Sequence, residues 1–271
     1  ATAPRPAGGA PGHGSAAPIF VFGLPRSGTT LVERIITSHP DVISTGEPMD
    51  FAGLVRRFAG APTRELIDGP TLRAVPPGDL SNLGAAYVEA IRARHPGGSR
   101  FTDKTPLNFL FGGLIHAALP QARMVCLRRH PVDSCLAVYR QRFTTGSAYY
   151  DWVYSLEATA RFYLAFDALV AHWRATLPAD RFREVTYEDV VSDQEGQSRA
   201  LLDWLGLPWD DRVLAFHENA APVSTASAVQ VRRQVYASSV GRWKRYGDRL
   251  RPLTDILVAG GVLSADEVDA G

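Results

Sequence analysis

The segment Gly23-Leu24-Pro25-Arg26-Ser27-Gly28-Thr29-Thr30 constrains this chain more than any other. It follows an apolar run at residues 19–22 and precedes Leu31, Val32, Ile35 and Ile36, which repeat at helical spacing. It therefore reads as the loop of a strand-loop-helix unit. In such a loop, backbone N–H groups and the positive end of the helix converge on one spot, which suits a phosphate. A nucleoside-triphosphate loop would carry Gly-Lys-Ser/Thr; here stands Gly28-Thr29-Thr30, and the nearby cation is Arg26. Taken alone, the loop fits a phosphate cradle and a plain tight turn with Ser27 or Thr29 capping the helix about equally well.

The same alternation continues downstream. Strands are expected at residues 42–44, 101–104, 122–127 and 182–187, and helices at 107–119, from Pro131 to about 142, at 150–176 and at 189–205, the last ending on Gly206. Residues 50–96 mix helical pieces with Pro76-Pro77-Gly78 and read as an excursion or lid. Strands alternating with helices predict an α/β, P-loop-like fold of three layers, a central parallel β-sheet flanked by helices, with ligands beyond the carboxyl ends of the strands. Residues 1–17, nearly all Ala, Pro, Gly and Ser, are expected to form a flexible linker, and residues 18–271 a single domain.

With 45% hydrophobic and 21% charged residues, the 271-residue chain has ample material for a large core. A net charge of +1 gives no bulk attraction to nucleic acid or an anionic membrane, so any polyanion must be held by a local basic cluster. Two such clusters exist. Arg232, Arg233, Arg242, Lys244, Arg245, Arg249 and Arg251 surround the lone acid Asp248, and five arginines share residues 121–142 with Asp133. The two cysteines, Cys126 and Cys135, are too few for a disulfide framework and lack metal-ligand spacing, which predicts buried thiols in a reducing, cytoplasmic setting. The longest apolar stretch, residues 109–119, carries His116 and is too short to span a bilayer. After Val125 the chain runs Cys126-Leu127-Arg128-Arg129, with no strand-end acid to hold magnesium, so the loop is expected to bind phosphate without a metal.

Several separated motifs, taken in order from about residue 18 to 257, resemble sulfotransferases that use 3′-phosphoadenosine 5′-phosphosulfate (PAPS), especially the tyrosylprotein type and bacterial homologues carrying tetratricopeptide repeats. The resemblance implies that Arg26, Ser27, Gly28, Thr29 and Thr30 cradle the donor's 5′-phosphosulfate. Arg129-His130-Pro131-Val132-Asp133-Ser134 is similar to the family's 3′-phosphate motif, with Arg129 the matching contact. The usual serine eight positions on is Ala137 here, and Ser134, one turn earlier on the same helix face, is its expected substitute. Tyr187, in Thr186-Tyr187-Glu188-Asp189, resembles a tyrosine near the nucleotide; Ser239-Val240-Gly241-Arg242-Trp243-Lys244 resembles the late donor-binding loop, with Arg242 the first choice and Lys244 the second.

The catalytic set follows from the same resemblance. Glu47, in Ser44-Thr45-Gly46-Glu47-Pro48, stands where the tyrosylprotein enzymes place their base. Lys104, one of two lysines among 29 lysines and arginines, matches a cation at the bridging oxygen, where a compact ammonium suits a single atom. Where cytosolic members place a histidine base, two residues on, stands Pro106, which favours Glu47. Arg26 and Ser227 complete the set, Ser227 by a softer match in a polar loop. Tyr149, Tyr150, Trp152 and Tyr154 fit either an acceptor wall or helix packing.

The implied reaction moves a sulfuryl group from PAPS to a hydroxyl on a peptide tyrosine, sugar or small molecule, leaving PAP, with no metal, nucleic acid or membrane partner. An upstream repeat domain is an expected partner in cis. An ATP- and magnesium-dependent kinase and a non-catalytic nucleotide-binding module are the alternatives.

Overall fold

The structure, a computed structural model, describes residues 12–61, 68–141, 143, 148–219 and 239–269. Five strands, β1 (Pro18–Gly23), β2 (Val42–Ser44), β3 (Arg100–Asp103), β4 (Arg123–Arg128) and β5 (Phe182–Thr186), form one sheet in the order β2-β3-β1-β4-β5. All four pairings are parallel, which confirms the expected class. The first strand occupies the centre, with Phe20 aligned to Asp103 on one side and to Met124 on the other.

The helices are α1 (Thr29–Thr37), α2 (Asp50–Ala59), α3 (Gly69–Ala74), α4 (Leu80–Arg94), α5 (Gly112–Ala118), α6 (Pro131–Tyr139), α7 (Leu156–Thr176), α8 (Tyr187–Ser192), α9 (Gln194–Leu205), α10 (Arg251–Ala259) and α11 (Ala265–Asp269). Side chains of β1 alternate between two cores because strand residues point to opposite faces. Phe20 and Phe22 enter the core built with α2, α4, α5, α6, α7 and α10, whereas Ile19 and Val21 pack against α1, α8 and α9. Each such fully buried side chain contributes ~1.5–3 kcal/mol, so the sheet is held from both faces.

Local capping divides several stretches that periodicity alone runs together. The expected helix at 150–176 is a 3-10 turn (Ala148–Tyr154) followed by α7, because Ser155 is extended and its Oγ accepts the Ala158 N–H at 3.2 Å. Asp193 likewise separates α8 from α9, accepting the Gly196 N–H at 2.9 Å. The expected helix at 107–119 begins as a 3-10 segment (Pro106–Phe111) and becomes α5; Trp173 Nε1 donates to the Phe109 carbonyl at 2.8 Å. Residues 50–96 are no mere excursion: Phe51 and Val55 of α2, and Leu83, Tyr87 and Ile91 of α4, belong to the larger core. Of the glycine- and proline-rich start, residues 12–17 lie against the domain, with His13 N–H donating to Ala118 O and Phe101 N–H to Ala17 O. Cys126 and Cys135 are free and buried. Among the described residues no helix is long and apolar enough to cross a membrane.

Candidate functional site

The loop after β1 lies at the centre of the sheet's carboxyl edge, where the strand order reverses and α/β folds bind their ligands. Gly28 caps α1 at φ +105°, without a side-chain cap and with no acid in the first helical turn, so the positive helix end is left for an outside anion. A Cβ at Gly28 would stand 2.6 Å from Tyr187 Cδ2, which only glycine avoids. Arg26 is a non-glycine residue in the left-handed region, at φ +69°, a conformation costing ~1–2 kcal/mol. Ser27 Oγ is buried with no hydrogen-bond partner among the described residues. Thr29 and Thr30 are buried in the first turn of α1. An unsatisfied buried hydroxyl, an uncapped helix start and a strained arginine fit a bound oxyanion.

On the β3 side the chain brings Lys104 and Glu47 into direct contact, Nζ on Oε1. Lys104 is 1% exposed and Glu47 42%, so the ammonium is sealed in while the carboxylate faces outward. Backbone bonds fix both: Lys104 N–H donates to Gly46 O at 2.9 Å, and Thr45 N–H to Thr102 O at 3.2 Å. A buried ammonium is tolerated only with such compensation. Glu33 of α1 supplies more, since its buried carboxyl accepts Ser44 Oγ at 2.8 Å and Thr102 Oγ1 at 3.2 Å. Burial raises the Glu33 pKa, opposed first by the Lys104 charge. The pKa of Tyr150 is raised by burial and then by the charge of Glu47, and Phe143 stacks on its ring at 4.6 Å.

Asp103, immediately before Lys104, is fully buried and takes four hydrogen bonds. Tyr87 OH donates to Oδ2 at 2.7 Å; Oδ1 accepts Thr105 N–H at 3.2 Å, Thr105 Oγ1 at 2.7 Å and Asn108 Nδ2 at 3.0 Å. Thr105 Oγ1 also lies 3.0 Å from Pro48 O, tying this turn to the Glu47 loop. Burial pushes the Asp103 carboxyl up to about 7 despite the bonds from Thr105 and Tyr87.

On the β4 side Arg129 draws three segments together. Nη1 donates to Arg26 O at 3.1 Å and Nη2 to Ser239 O at 2.6 Å, while the guanidinium lies 4.8 Å from the Tyr187 ring centroid. The Tyr187 and Ser239 hydroxyls are 2.7 Å apart. Ser134, 1% exposed, directs its hydroxyl to the carbonyl of Arg129 at 3.3 Å. Asp133 does more than favour the start of its helix: its buried carboxylate accepts Gly241 N–H at 2.7 Å and Trp243 N–H at 3.0 Å, fastening the late loop to α6. Arg242 and Lys244 are exposed on that loop, and Lys244 Nζ lies 5.8 Å from the Trp243 ring centroid. Ser227 lies outside the described residues.

Thus Arg26, Gly28, Arg129 and Tyr187 meet around one turn, Glu47 and Lys104 meet beside it at the end of the neighbouring strand, and Arg242 and Lys244 stand exposed on the loop that Gly241 and Trp243 fasten to Asp133. Asp103, Asp133, Glu33 and Ser239 are not singled out by the sequence, yet their hydrogen bonds tie this arrangement together. All four are polar residues inside or beside the motifs, and only their long-range partners reveal them.

Residues 18–211 match the model of the sulfotransferase family. An uncharacterized protein of Aquifex aeolicus is 34% identical over 256 residues, covering 92% of this chain and 33% of its own length. The protein-tyrosine sulfotransferase of Drosophila melanogaster is 26% identical over 264 residues, covering 92% of this chain and 51% of its own. The chain therefore spans between a third and about half of these curated relatives. Among solved structures, a mouse sulfotransferase complexed with PAP shares the fold at a TM-score of 0.54 and 16% identity, covering 96% of this chain and 89% of that one. A family model spanning most of the chain, together with the parallel sheet and its glycine turn, makes this chain a member of the sulfotransferase family.

Proposed function

We propose that the chain transfers a sulfuryl group from PAPS to a hydroxyl acceptor by in-line displacement, with Glu47 as the base. The observation that carries this reading is the contact between buried Lys104 and outward-facing Glu47 at the edge of the glycine turn. Family membership and the PAP complex of the mouse relative support the donor. In this reading the turn from Arg26 to Thr30 holds the 5′-phosphosulfate, and Arg129, Tyr187, Arg242 and Lys244 hold the nucleotide.

PAPS supplies an activated sulfuryl group; the chain positions it and manages the charge. Glu47 takes the acceptor proton as the acceptor oxygen bonds to sulfur, and the bond from sulfur to the bridging oxygen breaks with its electron pair going to PAP. An ammonium has three N–H donors, so Lys104 serves Glu47 and that bridging oxygen together. Arg26 stabilises the remaining charge, and Ser227 assists as its motif position implies. The acceptor enters past Glu47, beside the Tyr150–Phe143 stack.

Turnover of labelled PAPS with a mixed pool of phenols, peptides and sugars tests the reading. Glu47→Gln keeps the size and polarity of the side chain and loses its basicity. Turnover should fall roughly 10²–10⁴-fold with PAP binding retained. A fully active Glu47→Gln protein would remove Glu47 as the base.

A further inference from the structure

Glu33 is a buried carboxyl on α1, the helix that Gly28 caps at the glycine turn. A carboxylate at that depth persists only beside an opposite charge and with its oxygens hydrogen-bonded. Both are present. Register places Ser44 opposite Thr102 at the ends of β2 and β3, and their two hydroxyls donate to one oxygen, Oε1, at 2.8 and 3.2 Å. Ser44 Oγ itself accepts the Gly46 N–H at 3.2 Å, which directs the serine proton to Glu33. Two donors on one oxygen suit an ionised acid, which only accepts. The charge of Lys104 is the strongest influence opposing the effect of burial on this carboxyl; Arg34, next along the helix, adds a smaller one in the same direction.

The sealed ammonium of Lys104 therefore has two carboxylates: Glu47, which it touches and which faces outward, and Glu33, which is buried with it. Sulfuryl transfer treats the two differently. Glu47 becomes neutral when it takes the acceptor proton, and the bridging oxygen departs with PAP. Glu33 exchanges no proton with substrate and keeps its charge throughout. Its hydrogen bonds reach the same pair through the backbone, since Ser44 holds the Gly46 N–H and the Gly46 carbonyl accepts the Lys104 N–H at 2.9 Å, one residue before Glu47.

We propose that Glu33 is the positioning residue of the reacting pair. Ionised, it is the standing counter-charge of Lys104, and through Ser44 and Gly46 it sets the turn that presents Glu47. This rests on the PAPS reading above and adds a third carboxyl residue that acts only through its neighbours. Because α1 also starts at the glycine turn, one rigid helix aligns the phosphosulfate loop with the base and the ammonium.

The two-lysine composition allows a test that needs no turnover. Protein carrying isotope-labelled lysine gives two side-chain signals, from Lys104 and Lys244. Glu47→Gln mimics the neutral base, and there the Lys104 signal should keep its ammonium position at neutral pH, because Glu33 still faces it. Glu33→Gln combined with Glu47→Gln should release that proton at lower pH than Glu47→Gln alone, as burial disfavours a charge without a partner. An amine signal at neutral pH in Glu47→Gln alone overturns the counter-charge, as does the same titration in both proteins. In single-turnover assays Glu33→Gln, which keeps an oxygen for Ser44 and Thr102, should transfer sulfuryl groups roughly ten-fold or more slowly with PAP binding retained. Glu33→Asp, which keeps the charge, should recover part of the rate. Full activity of Glu33→Gln, or an equal loss in both variants, overturns the positioning role and leaves the PAPS reading standing. Wild-type protein that turns over no PAPS overturns that reading, and the lysine signals still decide the counter-charge.

Discussion

Replacing Asp103 with Asn should remove a pH dependence that this one carboxyl gives the fold. Burial lifts its pKa from an ordinary 3.8 to about 7, against the pull of bonds from Thr105 and Tyr87. Between those two pH values the unfolded chain has released the proton and the folded chain keeps it. Folded protein then binds more protons, so stability falls as pH rises. The contribution is fully present below 3.8 and lost once pH passes 7. About three pH units at ~1.36 kcal/mol each amount to about 4 kcal/mol over the whole range. Asparagine retains an oxygen for Thr105 and Asn108 and has no charge to desolvate. Urea unfolding of both proteins at pH 5 and pH 8 covers about two of those units. The stability of Asp103→Asn relative to wild type should therefore improve by about 3 kcal/mol from the lower pH to the higher. If the gap between the two proteins is the same at both pH values, Asp103 is ionised in the fold throughout. Its four hydrogen bonds would then outweigh burial, and the reasoning fails.

Gly28→Ala meets both a left-handed backbone and the Tyr187 ring, which together should cost about 2–4 kcal/mol by thermal or urea denaturation. Adding Tyr187→Ala should recover the contact part of that loss but not the backbone part. Lys104→Ala should lower sulfuryl transfer by roughly 10²–10³-fold in single-turnover assays while PAP still binds, and chelators should leave wild-type turnover unchanged.

The alternation of the strands is legible because each is flanked by sharp signals. The run at 19–22 stops at Gly23, and the helix after β4 begins on Pro131 with its φ already set. Helix breaks at Ser155 and Asp193 are not legible by periodicity, since a capping side chain interrupts the backbone without interrupting the apolar stripe. The site divides in the same way. Arg26, Glu47, Lys104 and Arg129 stand out through motif position and residue type, and the strand ends carry them to one edge. Asp133 looks like a helix-start acid because its partners, Gly241 and Trp243, are more than a hundred residues away. Ser239 is one serine among several in its segment until Arg129 and Tyr187 are seen to hold it.

The unequal burial of the two lysines has a practical use. Lys104 is closed off within the fold, whereas Lys244 stands in solvent on the late loop. A mild amine-directed dye applied to the folded protein would thus meet one lysine side chain, already placed against an indole that can quench it. Fluorescence from that position would report on the loop in real time with no cysteine introduced, although the label replaces the Lys244 charge proposed to hold the nucleotide.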